Sequence, residues 1–183
     1  MAINVIIING VGQCGKDTFI EYAGDFFFAK RMSVLNYSTV ETPKDIGKEY
    51  FDADPNNKSE KNRQLWQKLK ELLVWYDDIP LKEIEGIICD MKSAANQWGA
   101  ENGKNLFIHC REPQEIKKIE DLCKRKDVKF ISLLITRKEA VCPDNPSDKA
   151  VNNWNYDFHY SNDGSLTSLK DCAKTFCDSL SGA

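Results

Sequence analysis

A glycine-rich segment near the N-terminus has the residue types that bind phosphate groups. Residues 10–18 read GVGQCGKDT, which satisfies the spacing G-x-x-x-x-G-K. Glycines let the backbone curl so that successive N–H groups point at phosphate oxygens, and a lysine at the end of the curl reaches the outer phosphates of a nucleoside triphosphate. We therefore predict a P-loop with a catalytic lysine. Its nucleotide-binding residues are Gly10, Gly12, Gln13, Cys14, Gly15, Lys16, Asp17 and Thr18.

The residue after the lysine is relevant to metal binding. Most P-loops have Ser or Thr there, and its hydroxyl binds Mg²⁺. This chain has Asp17, and Thr18 follows one position later. A carboxylate oxygen is a ligand that Mg²⁺ prefers. We predict that Asp17 holds Mg²⁺, directly or through a water molecule.

Two alternatives compete with the P-loop interpretation. Gly10, Gly12 and Gly15 also fit G-x-G-x-x-G, the dinucleotide-binding pattern of oxidoreductases, but that pattern needs an acidic residue at the end of the second strand. The first acid after that strand is Glu41, and a lysine directly after the third glycine favours phosphate binding. The second alternative is a tight strand–helix turn without a ligand.

Apolar patterns on both sides of this turn predict alternating strands and helices. Predicted strands cover residues 3–9, 33–38, 105–110, 128–136 and 156–160, and predicted helices cover 16–28, 60–76, 81–98 and 113–123. A last helix begins near 163–165 and is expected to bury Leu166, Leu169, Ala173, Phe176 and Leu180. Such alternation implies a single α/β domain over residues 1–183, with a doubly wound, parallel five-stranded sheet and helices on both faces.

Ligands of such sheets bind beyond the carboxyl ends of the strands. The polar residues at those ends are therefore candidates for the site. They are Ser38, Thr39 and Lys44 after the second strand, Arg111 after the third, Arg137 after the fourth, and Asn162 and Asp163 after the fifth. His109 falls inside a strand, where a packed or hydrogen-bonded role is expected.

Composition excludes several classes of function. The net charge is −3, and the lysines of residues 58–70 and 117–129 alternate with acids, which predicts solvated helix faces and no nucleic-acid partner. No apolar run approaches membrane-spanning length, so no membrane partner is expected. The seven cysteines include no C-x-x-C pair, which argues against a zinc site. A reducing cytoplasm is the expected location.

The sequence GKDT in this setting resembles the P-loop of deoxynucleoside monophosphate kinases of phages and bacteria, and is similar to that of animal-type phosphomevalonate kinases. Tyr156-Asp157-Phe158 and the run from Asn162 to Leu166 resemble the approach to the last strand and helix of the first group. The layout agrees. Such kinases carry a helical acceptor-binding insertion after the second strand and a lid after the fourth, which here correspond to residues of about 39–104 and about 138–155.

The resemblance implies transfer of a phosphoryl group from ATP, with Mg²⁺, to a (deoxy)nucleoside 5′-monophosphate. Arg111 would lie between donor and acceptor phosphates, and Arg137 would open the lid and clamp the transferring group. Ser38, Thr39 and Arg63 would hold the acceptor monophosphate, while Asn162 and Asp163 would lie at the donor base. Expected partners are the nucleotide and a small phosphorylated acceptor, with a homodimer as the alternative to a monomer.

Two other functions remain open. One is a kinase of another small phosphorylated metabolite, such as a phosphomevalonate-like acceptor, and the other is a nucleotide-binding switch protein without an acceptor. Two departures from the family pattern bear on this choice. The third strand ends in His109-Cys110-Arg111-Glu112, without the aspartate familiar from adenylate kinases. The lid has Arg137 followed by Lys138 and Lys149 where many relatives carry several arginines.

Overall fold

Five parallel strands form the centre of the protein in the computed structural model, which describes residues 2–97, 103–140 and 151–181. The strands are β1 (Ile3–Asn9), β2 (Ser33–Ser38), β3 (Lys104–His109), β4 (Lys129–Thr136) and β5 (Phe158–Ser161). Their order across the sheet is β2-β3-β1-β4-β5, and each neighbouring pair is parallel. The predicted five-stranded parallel sheet is confirmed.

Six helices connect and follow these strands in the described residues. They are α1 (Lys16–Ala29), α2 (Glu41–Phe51), α3 (Glu60–Asp77), α4 (Ile79–Gln97), α5 (Pro113–Arg125) and α6 (Leu166–Ser181), with a short 3₁₀ turn at Val151–Asn153. Three of the helices, α2 to α4, lie between β2 and β3. No described helix has both the length and the apolar content needed to cross a bilayer.

The ends of these helices follow from local signals. The Ser59 hydroxyl accepts a hydrogen bond from the Asn62 N–H at 3.4 Å and caps α3. Asp78, in the left-handed conformation with φ 47°, ends that helix. Pro113 is the first residue of α5, a position where its missing N–H costs no hydrogen bond.

Alternate residues of β1 face opposite sides of the sheet. Ile6 and Ile8 belong to a hydrophobic cluster with residues of α1 and α6, whereas Val5 and Ile7 belong to a second cluster with residues of α4 and α5. All seven residues of β1 are buried because helices cover both faces of the sheet. The predicted placement of helices on both faces is confirmed.

Some details differ from the sequence prediction. Helix α2 was not predicted as a separate element, since its buried residues, Pro43 and Gly47, are not large apolar ones. The fifth strand begins at Phe158 instead of residue 156. The Asp157 side chain takes the place of a strand contact here, because its carboxylate accepts hydrogen bonds from the N–H and hydroxyl of Ser132, both at 2.8 Å. Regular pairing of β5 with β4 therefore starts at the next residue, Phe158.

The last helix also differs in one position. Leu166, predicted to be buried, is 66% exposed, because it begins α6 and the buried face of the helix starts at Leu169. Leu169, Ala173, Phe176 and Leu180 are buried as predicted. Residues 141–150, most of the predicted lid, lie outside the described part of the chain.

Candidate functional site

The glycine turn (residues 10–18) is shaped by three residues with positive φ. They are Gly10 with φ 143°, Gln13 with φ 61° and Gly15 with φ 102°. These angles curl the chain between the end of β1 and the first residue of α1. The N-terminal N–H groups of α1 therefore open on the same concave turn, and such a turn binds anions.

Lys16 closes this turn on itself. Its Nζ donates hydrogen bonds to the carbonyl oxygens of Gly10 at 2.6 Å and Val11 at 2.8 Å, and lies 3.6 Å from the Cys14 sulfur. Burial lowers the pKa of Lys16, and the nearby Arg111 lowers it further. A half-buried ammonium held by neutral carbonyls is a strong candidate to bind an anion, because a phosphate oxygen would compensate its charge.

Two asparagines fix the turn to the sheet. The Asn9 amide donates to the Tyr156 hydroxyl at 2.6 Å, and its carbonyl accepts from the Gly10 N–H at 2.7 Å. The Asn162 amide donates to the Cys14 carbonyl at 3.0 Å, and its backbone N–H donates to the Thr136 carbonyl at 2.7 Å. Asn162, proposed for the donor base, thus contacts the backbone of the turn. Sequence reasoning missed Asn9, although a polar residue ending an apolar strand just before Gly10 was a visible signal.

His109 is the last residue of β3 and faces the glycine turn. Its Nε2 lies 3.7 Å from Asp17 Oδ1. Burial lowers the pKa of His109 to about 4, with Asp17 acting in the opposite direction and Lys16, Arg111 and Lys44 adding to the decrease. The imidazole is therefore uncharged near neutral pH. Lys16, Asp17, Arg111 and Lys44 therefore lie near enough for their charges to act on the imidazole.

The side of the site next to β2 contains polar and aromatic groups. Thr39 is buried, and both its N–H and its hydroxyl donate to the His109 carbonyl, at 3.4 and 3.3 Å. Ser38 is paired with His109 in the register of β2 and β3. The Lys44 ammonium lies 5.5 Å from the centre of the Trp66 ring. Lys44 therefore supplies a cation whose charge acts on His109, and the Trp66 ring beneath it is buried.

Arg63 has a different setting from the other candidates for the acceptor phosphate. It lies in the first turns of α3 and is exposed, and its Nε donates to the Lys58 carbonyl at 2.9 Å. The guanidinium is thus engaged by the loop that precedes its own helix. No contact in the described residues places Arg63 beside Lys16 or Arg111.

Arg137 and Asp163 line one open cavity of about 420 Å³ at the ends of β4 and β5, together with Thr136, Lys138, His159 and Ser161. Asp163 Oδ1 accepts a hydrogen bond from the Lys138 N–H at 2.6 Å. The Arg137 guanidinium lies 3.4 Å from Glu139. The structure therefore brings the candidate base-binding residue and the candidate lid arginine to the same surface.

Lys70 does not have the solvated position that the sequence predicted for the lysines of residues 58–70. It is 7% exposed, and its Nζ lies 2.7 Å from Glu112 and 2.8 Å from Glu115. Burial opposes the charged form, but the two carboxylates outweigh it and raise the pKa of Lys70. The alternation of charges in the sequence gave no sign of this cluster, because its acids come from α5 and from the residue that precedes it.

The residues at the mouth of the turn fit the groups that a P-loop implies. The positive φ angles and Lys16 suit the phosphates of ATP. The Asp17 side chain is 85% exposed and offers carboxylate oxygens to a divalent ion. Cys14, by contrast, is fully buried, so its thiol would reach solvent only if the loop opened.

Solved structures with a similar fold include kinases. The APS kinase CysC of Mycobacterium tuberculosis in complex with AMPPNP and APS matches with a TM-score of 0.57 and 12% identity over 99% of each chain. A proposed kinase of Chloroflexus aurantiacus matches with a TM-score of 0.52 and 10% identity over 96% of this chain and 98% of that chain. These identities establish a shared fold and nothing finer. No protein-family model and no curated protein matches the sequence.

Proposed function

We propose that the chain is an ATP-dependent phosphotransferase. The observation that carries this proposal is the half-buried Lys16 ammonium, held by the Gly10 and Val11 carbonyls inside a turn of positive-φ residues. Phosphoryl transfer needs positioning and charge neutralisation more than it needs a strong base. The arrangement suits that chemistry, because a nucleotide phosphate entering the turn would replace those carbonyls as the partner of Lys16.

The other charged residues have complementary roles in this proposal. Arg111 neutralises charge between the donor and acceptor phosphates, and Arg137, where the lid begins, clamps the transferring phosphoryl group. Asp17 holds Mg²⁺, and bound Mg²⁺ supplies further charge neutralisation at the phosphate oxygens. His109, uncharged near neutral pH, acts as neither a cation nor a strong base here. Asn162 and Asp163 support the nucleotide at the ends of β4 and β5.

The proposed acceptor is a (deoxy)nucleoside 5′-monophosphate. Lys44 supplies a cation for the acceptor phosphate, and the Trp66 ring beneath it belongs to the helices between β2 and β3. Ser38 ends β2 and Thr39 follows it, and both supply hydroxyl groups to the acceptor phosphate. Another small phosphorylated acceptor is the second candidate. The M. tuberculosis kinase of the same fold was solved with APS, so APS belongs in the test panel.

The first experiment is a coupled assay of ADP release with Mg·ATP and a panel of ribo- and deoxynucleoside monophosphates, phosphomevalonate and APS. Lys16→Ala should reduce turnover by about 100-fold or more, since it removes a cation aimed at developing charge. Lys30→Ala is the matched control. Lys30 follows the other end of α1, where it pairs with Asp178, and its loss should leave turnover unchanged.

The outcome also separates the candidate functions. Turnover with one or more monophosphates supports the proposal, and turnover only with phosphomevalonate or APS would move the assignment to that acceptor. If ATP raises the melting temperature but no acceptor is phosphorylated, the switch alternative is favoured. Equal turnover by Lys16→Ala and the unmodified chain would refute the role of the glycine turn.

A further inference from the structure

Two potential metal ligands of different type face each other at the mouth of the glycine turn. Asp17 Oδ1, from the first turn of α1, lies 3.7 Å from Nε2 of His109, the last residue of β3. Ile8 of β1 is paired with His109 in the sheet, so the imidazole belongs to the strand next to the one that enters the turn. The positions of both residues are thus set by regular elements.

The separation of the two atoms suits a shared ion. Nitrogen and oxygen ligands lie roughly 2.0–2.2 Å from a divalent transition ion, so two of them are roughly 3 Å apart at right angles and roughly 4 Å apart on opposite sides. The observed 3.7 Å falls between these values. Asp17 is 85% exposed and His109 is 19% exposed, so solvent reaches the carboxylate while the ring is held in place.

The surrounding charges determine how an ion would enter. Lys16, Arg111 and Lys44 all lie close enough to His109 to act on it electrostatically. These cations repel a free metal ion, whereas the Asp17 carboxylate attracts it. A nucleotide polyphosphate reverses the sign of the local charge. The metal is therefore expected to enter together with the nucleotide and not before it.

We propose that His109 is a ligand, together with Asp17, of the divalent ion that accompanies the nucleotide. This inference rests on the proposed nucleotide-binding function and extends it. The resulting ligand set contains an imidazole nitrogen, whereas Mg²⁺ prefers oxygen ligands alone. Imidazole suits transition ions, so the protein–ADP complex takes Mn²⁺ or Co²⁺ in preference to Mg²⁺.

The test is electron spin-echo envelope modulation of Mn²⁺ bound to the full chain with ADP. The chain has two histidines, His109 and His159. We expect ¹⁴N modulation from a directly bonded imidazole, replaced by ¹⁵N modulation when the protein is labelled with [¹⁵N]histidine. His109→Asn should abolish this signal although His159 remains, so the unchanged histidine serves as an internal control.

A second measurement compares metal affinities. His109→Ala should weaken Mn²⁺ binding to the protein–ADP complex by about tenfold or more. His109→Asp supplies an oxygen ligand instead, so it should retain the metal but shift the preference toward Mg²⁺. Circular dichroism and melting temperature verify that each variant is folded.

The outcomes distinguish this inference from the proposed function. Bound Mn·ADP without histidine modulation would overturn His109 as a ligand and leave nucleotide binding intact. If Mn·ADP does not bind to the folded, unmodified chain at all, both the metal site and the nucleotide-binding function are wrong. An unchanged Mn²⁺ to Mg²⁺ preference in His109→Asp also counts against the inference.

Discussion

Gly10 and Gly15 each lie against a specific group at the place where a side chain would begin. A Cβ at Gly10 would lie 2.3 Å from the Ile135 carbonyl oxygen and 2.6 Å from the Cys14 sulfur. A Cβ at Gly15 would lie 2.4 Å from the Asn162 amide nitrogen. The positive φ favours glycine at both positions, and at Gly10 the backbone of β4 also leaves no room for a Cβ. Gly12 has no atom within 4 Å of such a Cβ, so its position is open.

This difference predicts unequal effects of two identical substitutions. Gly10→Ala should lower the free energy of unfolding by about 2 kcal/mol or more, since the Ile135 carbonyl belongs to β4 and cannot move aside cheaply. Gly12→Ala should change it by less than about 0.5 kcal/mol. Urea denaturation of the ligand-free chain measures both. Similar losses for the two variants would mean that the turn is not packed against β4 as described.

At the scale of elements, the Lys70 cluster connects two parts of the chain. Lys70 lies on α3, whereas Glu112 precedes α5 and Glu115 lies in its first turn. The Cys110 sulfur lies 3.6 Å from Glu115, so the cluster extends to the residue before Arg111. The cluster therefore ties the helices between β2 and β3 to the strand end that carries Arg111.

We expect Lys70→Met to lower the free energy of unfolding by about 3 kcal/mol, the lower end of the range for a broken buried pair, because the carboxylates keep some contact with solvent. Lys117→Met is the matched control. Lys117 also lies within 3.1 Å of two carboxylates, those of Glu120 and Asp121, but is 53% exposed. Its loss should cost no more than about 1 kcal/mol.

Thermal and urea unfolding of the two lysine variants give the comparison. A triple variant that combines Lys70→Met with Glu112→Gln and Glu115→Gln should recover much of the stability, since it leaves no unpaired buried charge. If Lys70→Met and Lys117→Met have equal effects, Lys70 is not the buried link between α3 and the β3–α5 junction.

At the scale of the whole molecule, burial of tyrosine hydroxyls limits stability in alkali. Burial raises the pKa of Tyr37, where the Glu83 carboxylate adds to the effect, and also that of Tyr160. It raises the pKa of Tyr156 to about 12. Tyr37 lies in β2, Tyr160 lies in β5 and Tyr156 lies just before β5, so the three residues are found at both edges of the sheet.

The sign of the pH dependence follows from these shifts. In the unfolded chain tyrosines lose their protons near pH 10, whereas the folded chain retains them, so the unfolded state binds fewer protons above that pH. The free energy of unfolding should therefore decrease as pH rises from about 10 to about 12. Urea denaturation at several pH values should show this, and Tyr156→Phe should make the decrease shallower.

The same change at an exposed position gives the control for this experiment. Tyr76 is 74% exposed on α3, and Tyr76→Phe should leave the slope of stability against pH as it is in the unmodified chain. A slope that responds equally to both substitutions would show that the burial of Tyr156 is not its cause.

The sequence by itself determined the fold and the identity of the glycine turn. A continuous apolar strand such as Ile3–Asn9 must be buried on both faces, and alternation with amphipathic helices leaves a parallel sheet as the consistent arrangement. The spacing from Gly10 to Lys16 is similarly local, because the turn and its lysine lie within a few residues of each other. Patterns of this kind are visible in a sequence since they depend on neighbours along the chain.

Only the tertiary structure decided which distant residues meet. The approach of His109 to Asp17, the burial of Lys70 against Glu112 and Glu115, and the exposure of Leu166 depend on how separate elements pack. A lysine among alternating charges has the same local pattern whether it faces water or a carboxylate that lies 42 residues further along the chain. Periodicity indicates which face of an element is apolar, but packing determines which polar groups that element brings into contact.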